Sequence, residues 1–471
     1  MENLAKSILD SYSIPDESSL DSLLSREIER NKAKIVVLDD DPTGVQTVHG
    51  ISVYTDPGRE SLRLGFAEEN KLFYILTNSR GFTAAETEEY HRRLIADLEA
   101  VSKELNRDYI LISRSDSTLR GHYPLETKVL RSGMANPAHG EILCYFFKEG
   151  GRYTLNNIHY VAQGQELVPA GNTEFARDVT FGYRSSDLRK YVEEKTGGEF
   201  SAADVACVSL DMLRSCDFEA IEKILLSADN FSKIIVNAID YCDLKVFSIA
   251  LYRAMADGKR FLLRSAAGLV KVMGGISDRP LLSHEEMVGT ASATGGMIVV
   301  GSHTAKTTAQ LSCLLTLPGT EGIAFNSDLV LDDAAFEAEI CRIVSRCEEL
   351  IAAGMTPVCY TNRKLMVIEN DTPEAALRRS VRISEGVKAL VERLNIRPAF
   401  VIAKGGITSS DVGIKALAVK RADVLGQIRP GIPVWRTGAE SKFPGIAYVI
   451  FPGNVGEETT LREAAEILMN K

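Results

Sequence analysis

The feature that most constrains this chain is an alternation. Short apolar runs, KIVVL, KLFYILT, DYILISR, KIIVNAI, RFLLRSA, GMIVVGS, PVCYT, AFVIAKG and AYVIF, recur along it. Amphipathic stretches such as ETEEYHRRLIADLEAVSKEL and EAEICRIVSRCEELIAAG separate many of them. Runs this short and this apolar read as strands buried on both faces, and the helices between them are the crossovers that parallel strands require. The expected fold is α/β, with two domains, each a largely parallel sheet flanked by helices, and a ligand cleft between them. A chain of 471 residues exceeds one ordinary core. We place the N-terminal domain at 1–290 and the C-terminal domain at 291–471, dividing them at the small, Gly-rich end of SDRPLLSHEEMVGTASATGG. The residues before Pro15 read as a short amphipathic helical extension. The stretch near 150–187 lacks helical periodicity and reads as a hairpin or long loop inserted in the first domain.

Charge and cysteine usage narrow the partners. A net charge of -10 argues against nucleic acid as the main partner. No apolar run reaches the roughly 18 residues that cross a bilayer, and the N-terminus lacks the pattern of a signal peptide. None of the eight cysteines forms a CxxC pair, which fits free thiols in a reducing cytoplasm. The seven histidines are scattered, so zinc is unsupported and no residue is assigned to a metal. A homo-oligomer is left open.

Three strand ends in the first half carry unusual polar groups. KIVVL runs into Asp39, Asp40, Asp41, Thr43 and Gly44. KLFYIL ends in Thr77, Asn78, Ser79, Arg80 and Gly81, and DYILI in Ser113, Arg114, Ser115, Asp116, Ser117, Thr118, Arg120 and Gly121. The carboxyl ends of strands in an open parallel sheet line one crevice, so these clusters are expected to share a pocket. Arginine forks grip carboxylates and aspartates accept from hydroxyls, which suits a small polyhydroxylated acid. One rival stands here. Asp39-x-Asp41-x-Thr43 after a strand fits the DxDxT signature of haloacid-dehalogenase-type phosphatases, although the acidic turn those enzymes need for magnesium is not found.

The second half repeats strand, glycine turn, helix start. The three turns carry Gly301, Ser302 and Thr304; Gly405, Gly406, Ile407, Thr408 and Ser409; and Gly453, Asn454 and Gly456. Glycines let backbone approach a phosphate, and free N–H groups at a helix start favour anions. None of the three is a Walker A loop, because Ala305 precedes Lys306 where that motif has glycine. A mononucleotide held by several loops is the expected ligand.

Taken together these motifs resemble the four-carbon acid sugar kinase family. The DD-x-TG turn is matched by Asp40, Asp41, Thr43 and Gly44, and DSTLRG by Asp116 to Gly121. Gly151-Arg152 followed by Thr173 to Asp178, then Gly301, Ser302, Thr304, Thr307 and Gln310, then Gly405, Gly406 and Thr408, and finally Gly453, Asn454 and Gly456 complete the pattern in order. Phe451-Pro452 stand where the family commonly has Lys-Ser. The resemblance implies an ATP- and Mg2+-dependent kinase acting on threonate, erythronate or 3-oxo-tetronate. On that reading Asp40, Asp41 and Asp116 are catalytic, and Ser79, Arg80, Arg114, Ser117, Thr118 and Arg120 bind the acid. Ser302, Thr304, the Gly405–Thr408 turn, Gly453, Asn454 and Gly456 bind the nucleotide. A non-catalytic sugar-acid-binding protein is the remaining alternative.

Overall fold

A run of four or five apolar residues is stable as a strand only where both its faces are covered. The computed structural model places all nine runs in strands buried along nearly their whole length. It describes residues 2–289, 293–363, 366, 368, 371–453 and 455–471. The chain forms two units, Met1–Val48 with Asp56–Asp278, and His49–Thr55 with Arg279–Lys471. The second unit thus takes a short segment from early in the chain, where Ile51–Tyr54 pairs antiparallel with Arg421–Arg429.

The first unit contains seven parallel strands in the order Ala206–Val208, Ser232–Val236, Gly140–Cys144, Phe261–Ser265, Tyr109–Arg114, Lys34–Asp39, Leu72–Leu76. The helix Ala84–Leu105 starts in a Thr83–Glu86 capping box and turns Leu94, Ile95, Leu98 and Val101 inward. The helix Tyr241–Ala256 is buried on most sides, since the helix Glu17–Arg30 packs on it and Lys245 pairs with Glu17 at 2.8 Å. The residues before Pro15 form a two-residue strand, Leu4–Ala5, and a 3-10 helix, Lys6–Ser11, in place of the expected α-helix. A stretch that short cannot repay helix nucleation, and Leu4 pairs antiparallel with Leu167 instead. The partner sheet consists of Arg152–Leu155, Ile158–Gln163 and Glu166–Pro169. Asn156 and Asn157, with φ of 51° and 65°, supply the two left-handed positions that a tight hairpin needs.

In the second unit the parallel strands Thr320–Phe325, Thr356–Thr361, Met297–Val300, Phe400–Lys404 and Ala447–Phe451 lie side by side in that order. Ile432–Thr437 and Arg421–Arg429 then continue the sheet antiparallel. The helices Ala305–Leu314 and Thr460–Met469 cover one face, burying Leu311, Leu314, Leu461 and Leu468 on Ile298, Ile402 and Val449.

Candidate functional site

In the first unit, the strands Tyr109–Arg114, Lys34–Asp39 and Leu72–Leu76 are immediate neighbours, so their carboxyl ends bring the three polar clusters together. The aspartates separate by depth. Asp39 is innermost, 1% exposed, and accepts from Arg114 at 2.9 Å. Burial pushes its carboxyl up to about 7 even with that arginine beside it. Asp40 is also buried and accepts from Ser115 Oγ at 2.7 Å and Arg80 Nη2 at 2.7 Å. Asp41 is the most open of the three, with 18% of its side chain exposed, and accepts from the other Nη of Arg80 at 3.0 Å. Its burial works against ionisation, but Arg80 and the Thr43 hydroxyl and N–H outweigh that and hold the carboxyl below the usual range. One guanidinium thus bridges two carboxylates. Gly44 is required here by space: a Cβ would lie 2.0 Å from Asp39 Oδ2 and 2.4 Å from Arg114 Nη1.

The Asp116–Gly121 loop forms the second wall. Asp116 accepts from the Thr118 hydroxyl, from Arg120 N–H at 3.4 Å and from Arg120 Nε at 2.8 Å. Arg80 and Arg120 overcome the effect of burial and keep it strongly ionised. Leu119 has a φ of 71°, a left-handed conformation that costs a leucine roughly 1–2 kcal/mol. Its side chain offsets this by burial among Tyr123, Tyr145 and Tyr191, and its carbonyl accepts from Tyr191 Oη at 2.9 Å. His159, from the inserted hairpin, braces the Ser117 carbonyl at 2.8 Å, and burial lowers its imidazole to about 4. The structure gathers Asp40, Asp41, Asp116, Arg80 and Arg120 into one cluster. It places Ser79 and Arg114 beneath them: Ser79 is buried and donates to Glu126 at 2.7 Å. Ser117 and Thr118 are buried within the loop itself.

In the second unit, the three glycine turns follow Met297–Val300, Phe400–Lys404 and Ala447–Phe451, which are also neighbours. The Gly301 N–H donates to the Lys404 carbonyl at 3.3 Å, and the Gly405 N–H to the Phe451 carbonyl at 3.0 Å. Thr408 closes on Gly301 so tightly that a Cβ there would lie 2.2 Å from its hydroxyl. Thr304 caps the helix Ala305–Leu314 by accepting from Thr307 N–H at 3.2 Å. Gly405 has a φ of 122°, which side chains rarely adopt. Gln310 Nε2 donates to the Val455 and Glu457 carbonyls at 3.1 and 2.9 Å, tying the last turn to the first. Ile407 is 74% exposed at the turn surface. Asn454 lies outside the described residues. Among the described residues, no group of three or more His, Cys, Asp or Glu side chains is arranged to hold a metal ion.

Two family models match: a sugar-binding N-terminal domain over residues 35–273, and a nucleotide-binding C-terminal domain over residues 297–461. The chain belongs to the four-carbon acid sugar kinase family. A search of curated proteins found no match. Among solved structures, a Haemophilus influenzae protein is 15% identical, with 92% of this chain and 100% of that one covered at a TM-score of 0.61. A Salmonella typhimurium LT2 protein named provisionally as a tRNA synthase is 15% identical, with 92% and 98% covered at 0.67. Both share the fold. A Bordetella bronchiseptica domain of unknown function, with bound citrate in a domain-swapped dimer, is 20% identical, with 93% and 99% covered at a TM-score of 0.39.

For this member of the sugar acid kinase family, the sugar-binding unit is the one carrying the aspartate–arginine cluster. Three of its groups escaped the reading of the sequence. Arg264 donates to Ser113 Oγ at 2.7 Å and Ser115 Oγ at 2.8 Å, and also pairs with Glu126. It lies within the RFLLRSA strand, and a charge inside an otherwise apolar run is the signal that could have found it. Glu126 sits in the helix Leu125–Gly133, with nothing local to mark it. Arg152 belongs to the Gly151-Arg152 motif, to which the sequence attaches no separate role. Its guanidinium lies 5.5 Å from the Phe175 ring centre, and that of Arg120 lies 5.0 Å from the same ring. Arg152 makes no ion pair among the described residues, and its buried Nε has no hydrogen-bond partner there. Burial and the neighbouring Arg120 lower its pKa, offset in part by Asp116. In the second unit, Arg363 donates to the Ser302 carbonyl at 2.7 Å and Thr361 Oγ1 at 2.8 Å, and so braces the first glycine turn.

Proposed function

We propose that this protein is an ATP-dependent kinase that phosphorylates the terminal hydroxyl of a four-carbon sugar acid of the threonate, erythronate or 3-oxo-tetronate class. The observation that carries the reading is the set of three carboxylates and three arginines, Asp40, Asp41, Asp116, Arg80, Arg120 and Arg152, gathered at the ends of neighbouring strands and on the inserted hairpin. Arg120 and Arg152 take the substrate carboxylate. They share an aromatic platform, and Arg152, whose Nη1 donates to the Gly150 carbonyl, keeps a buried Nε with no hydrogen-bond partner among the described residues to turn to an anion. Asp41 takes the hydroxyl that is phosphorylated, because its side chain is 18% exposed against 3% for Asp40. Its lowered pKa makes it a weak base. It therefore orients the hydroxyl more than it removes the proton, which suits the loose transition state of phosphoryl transfer.

On the same reading Ser302, Thr304, the Gly405–Thr408 turn and Gly453 hold ATP. Magnesium brought in with the nucleotide phosphates would neutralise charge on them. The phosphatase alternative needs Asp39 as a nucleophile, but Asp39 is buried and hydrogen-bonded to Arg114. ADP release should be screened over four-carbon sugar acids with wild type and Asp41→Asn. The proposal expects acid-dependent ADP release that the folded variant loses by about 100- to 1,000-fold. Phosphate release from phosphoesters without nucleotide would instead establish the phosphatase, and acid binding without turnover a non-catalytic receptor.

A further inference from the structure

Lys404 ends the strand Phe400–Lys404, in register with Phe451 of the neighbouring strand. The site is a poor one for a lysine. The residue is 0% exposed, yet its Nζ meets no carboxylate at ion-pair distance among the described residues. Its acceptors are the Pro452 carbonyl at 2.6 Å and the Gly453 carbonyl at 3.1 Å, with the Phe451 ring centre 4.3 Å away. The charged group acting on it is Lys306, from the helix Ala305–Leu314, which has the same sign. The Ala447–Phe451 strand and its following turn present carbonyls and the Phe451 ring. Burial, and then Lys306, lower the ammonium to about 7. Carbonyl dipoles alone do not compensate a buried full charge. An anion over the turn would, and there is room for one: a Cβ on Gly453 or on Gly406 would meet nothing within 4 Å.

We infer that Lys404 is a positioning residue for the nucleotide polyphosphate, which fixes the Gly453 turn from beneath and takes a proton from solvent when the phosphates seat on that turn. The inference rests on the nucleotide reading of this unit and deepens it. Lys404 touches the turn and not the ligand, so its contribution travels through the Pro452 and Gly453 carbonyls and through the field of its charge. In the free protein near pH 8 the amine is largely neutral. The anion stabilises the ammonium, so binding and protonation reinforce one another.

The test is calorimetric titration of the full-length chain with a non-hydrolysable ATP analogue and magnesium at pH 8, in two buffers of different ionisation enthalpy. At that pH His303, which burial and Arg363 hold below its usual value, is neutral in the free protein. Wild type should take up roughly one-half to one proton per nucleotide. Lys404→Met should bind at least about tenfold more weakly and lose the uptake, whereas Lys404→Arg, charged throughout, should recover most of the affinity and still show no uptake. Binding by wild type without proton uptake, or uptake retained in Lys404→Met, would overturn the inference alone. Failure of wild type to bind nucleotide at all would overturn it together with the nucleotide reading.

Discussion

Replacing Arg80 with glutamine isolates the cation on which the sugar-binding cluster depends. The guanidinium donates to Asp40 at 2.7 Å and Asp41 at 3.0 Å, and it is also the leading charge that holds Asp116 ionised. Its side chain is 23% exposed and its partners 3% and 18%, so the pairs are screened little by water. Removing one partner of a buried, hydrogen-bonded pair costs about 3–5 kcal/mol, and the charges left unpaired account for much of it. The pH dependence follows from the carboxylates. Asp41 and Asp116 have lowered pKa values in the folded state, so the stability they contribute is present above their unfolded values near 3.8 and is lost as pH falls through the folded ones. Without Arg80 their pKa values rise, and they protonate at milder acidity. The variant's deficit should therefore be near 3–5 kcal/mol at pH 7.5 and shrink towards pH 4, where protonated carboxyls no longer need the arginine. Urea denaturation at both pH values measures it. A deficit below about 1 kcal/mol at pH 7.5, or one independent of pH, would refute the reasoning.

Other outcomes follow from the geometry. Gly44→Ala should cost about 1–3 kcal/mol in denaturant midpoint analysis, because the added methyl would lie 2.0 Å from Asp39 Oδ2 and force the Asp39–Arg114 pair apart. Gly301→Ala should weaken nucleotide binding by about tenfold or more while leaving sugar-acid affinity unchanged, since the clash is with Thr408 at 2.2 Å. Arg152→Met should raise the KM for the acid by about 10- to 100-fold with little change in KM for ATP, as steady-state kinetics with each substrate varied would show.

The parallel core was legible because burial on both faces writes itself into local composition. The nine apolar runs carry that signature, and all nine are strands. Gly140–Cys144 lies in the middle of the same sheet and was not picked out, because Glu141 interrupts its apolar run. That glutamate is neutralised by Lys233, 2.6 Å away in space but 92 positions along the chain, and no local pattern reports such a pairing. Arg421–Arg429 alternates buried and half-exposed residues, the period-two signal of a one-sided strand, in a region read only for glycine turns. The short strand Ile51–Tyr54 gave no warning that its partner is Arg421–Arg429. In the sugar-binding unit, strand-end polar clusters announced the aspartates. What the sequence could not order was their depth. Only the fold shows that Asp39 sits beneath Asp40 and Asp41, and that Arg114 and Ser79 support the cluster from below.

The most direct measurement is 31P NMR of the full-length protein with ATP, magnesium and a four-carbon sugar acid. The account predicts that the γ-phosphorus signal declines while ADP and a new phosphomonoester appear together, the latter coupled to the protons of a terminal CH2 group. Inorganic phosphate as the sole new product, or loss of ATP at the same rate with and without the acid, would contradict it.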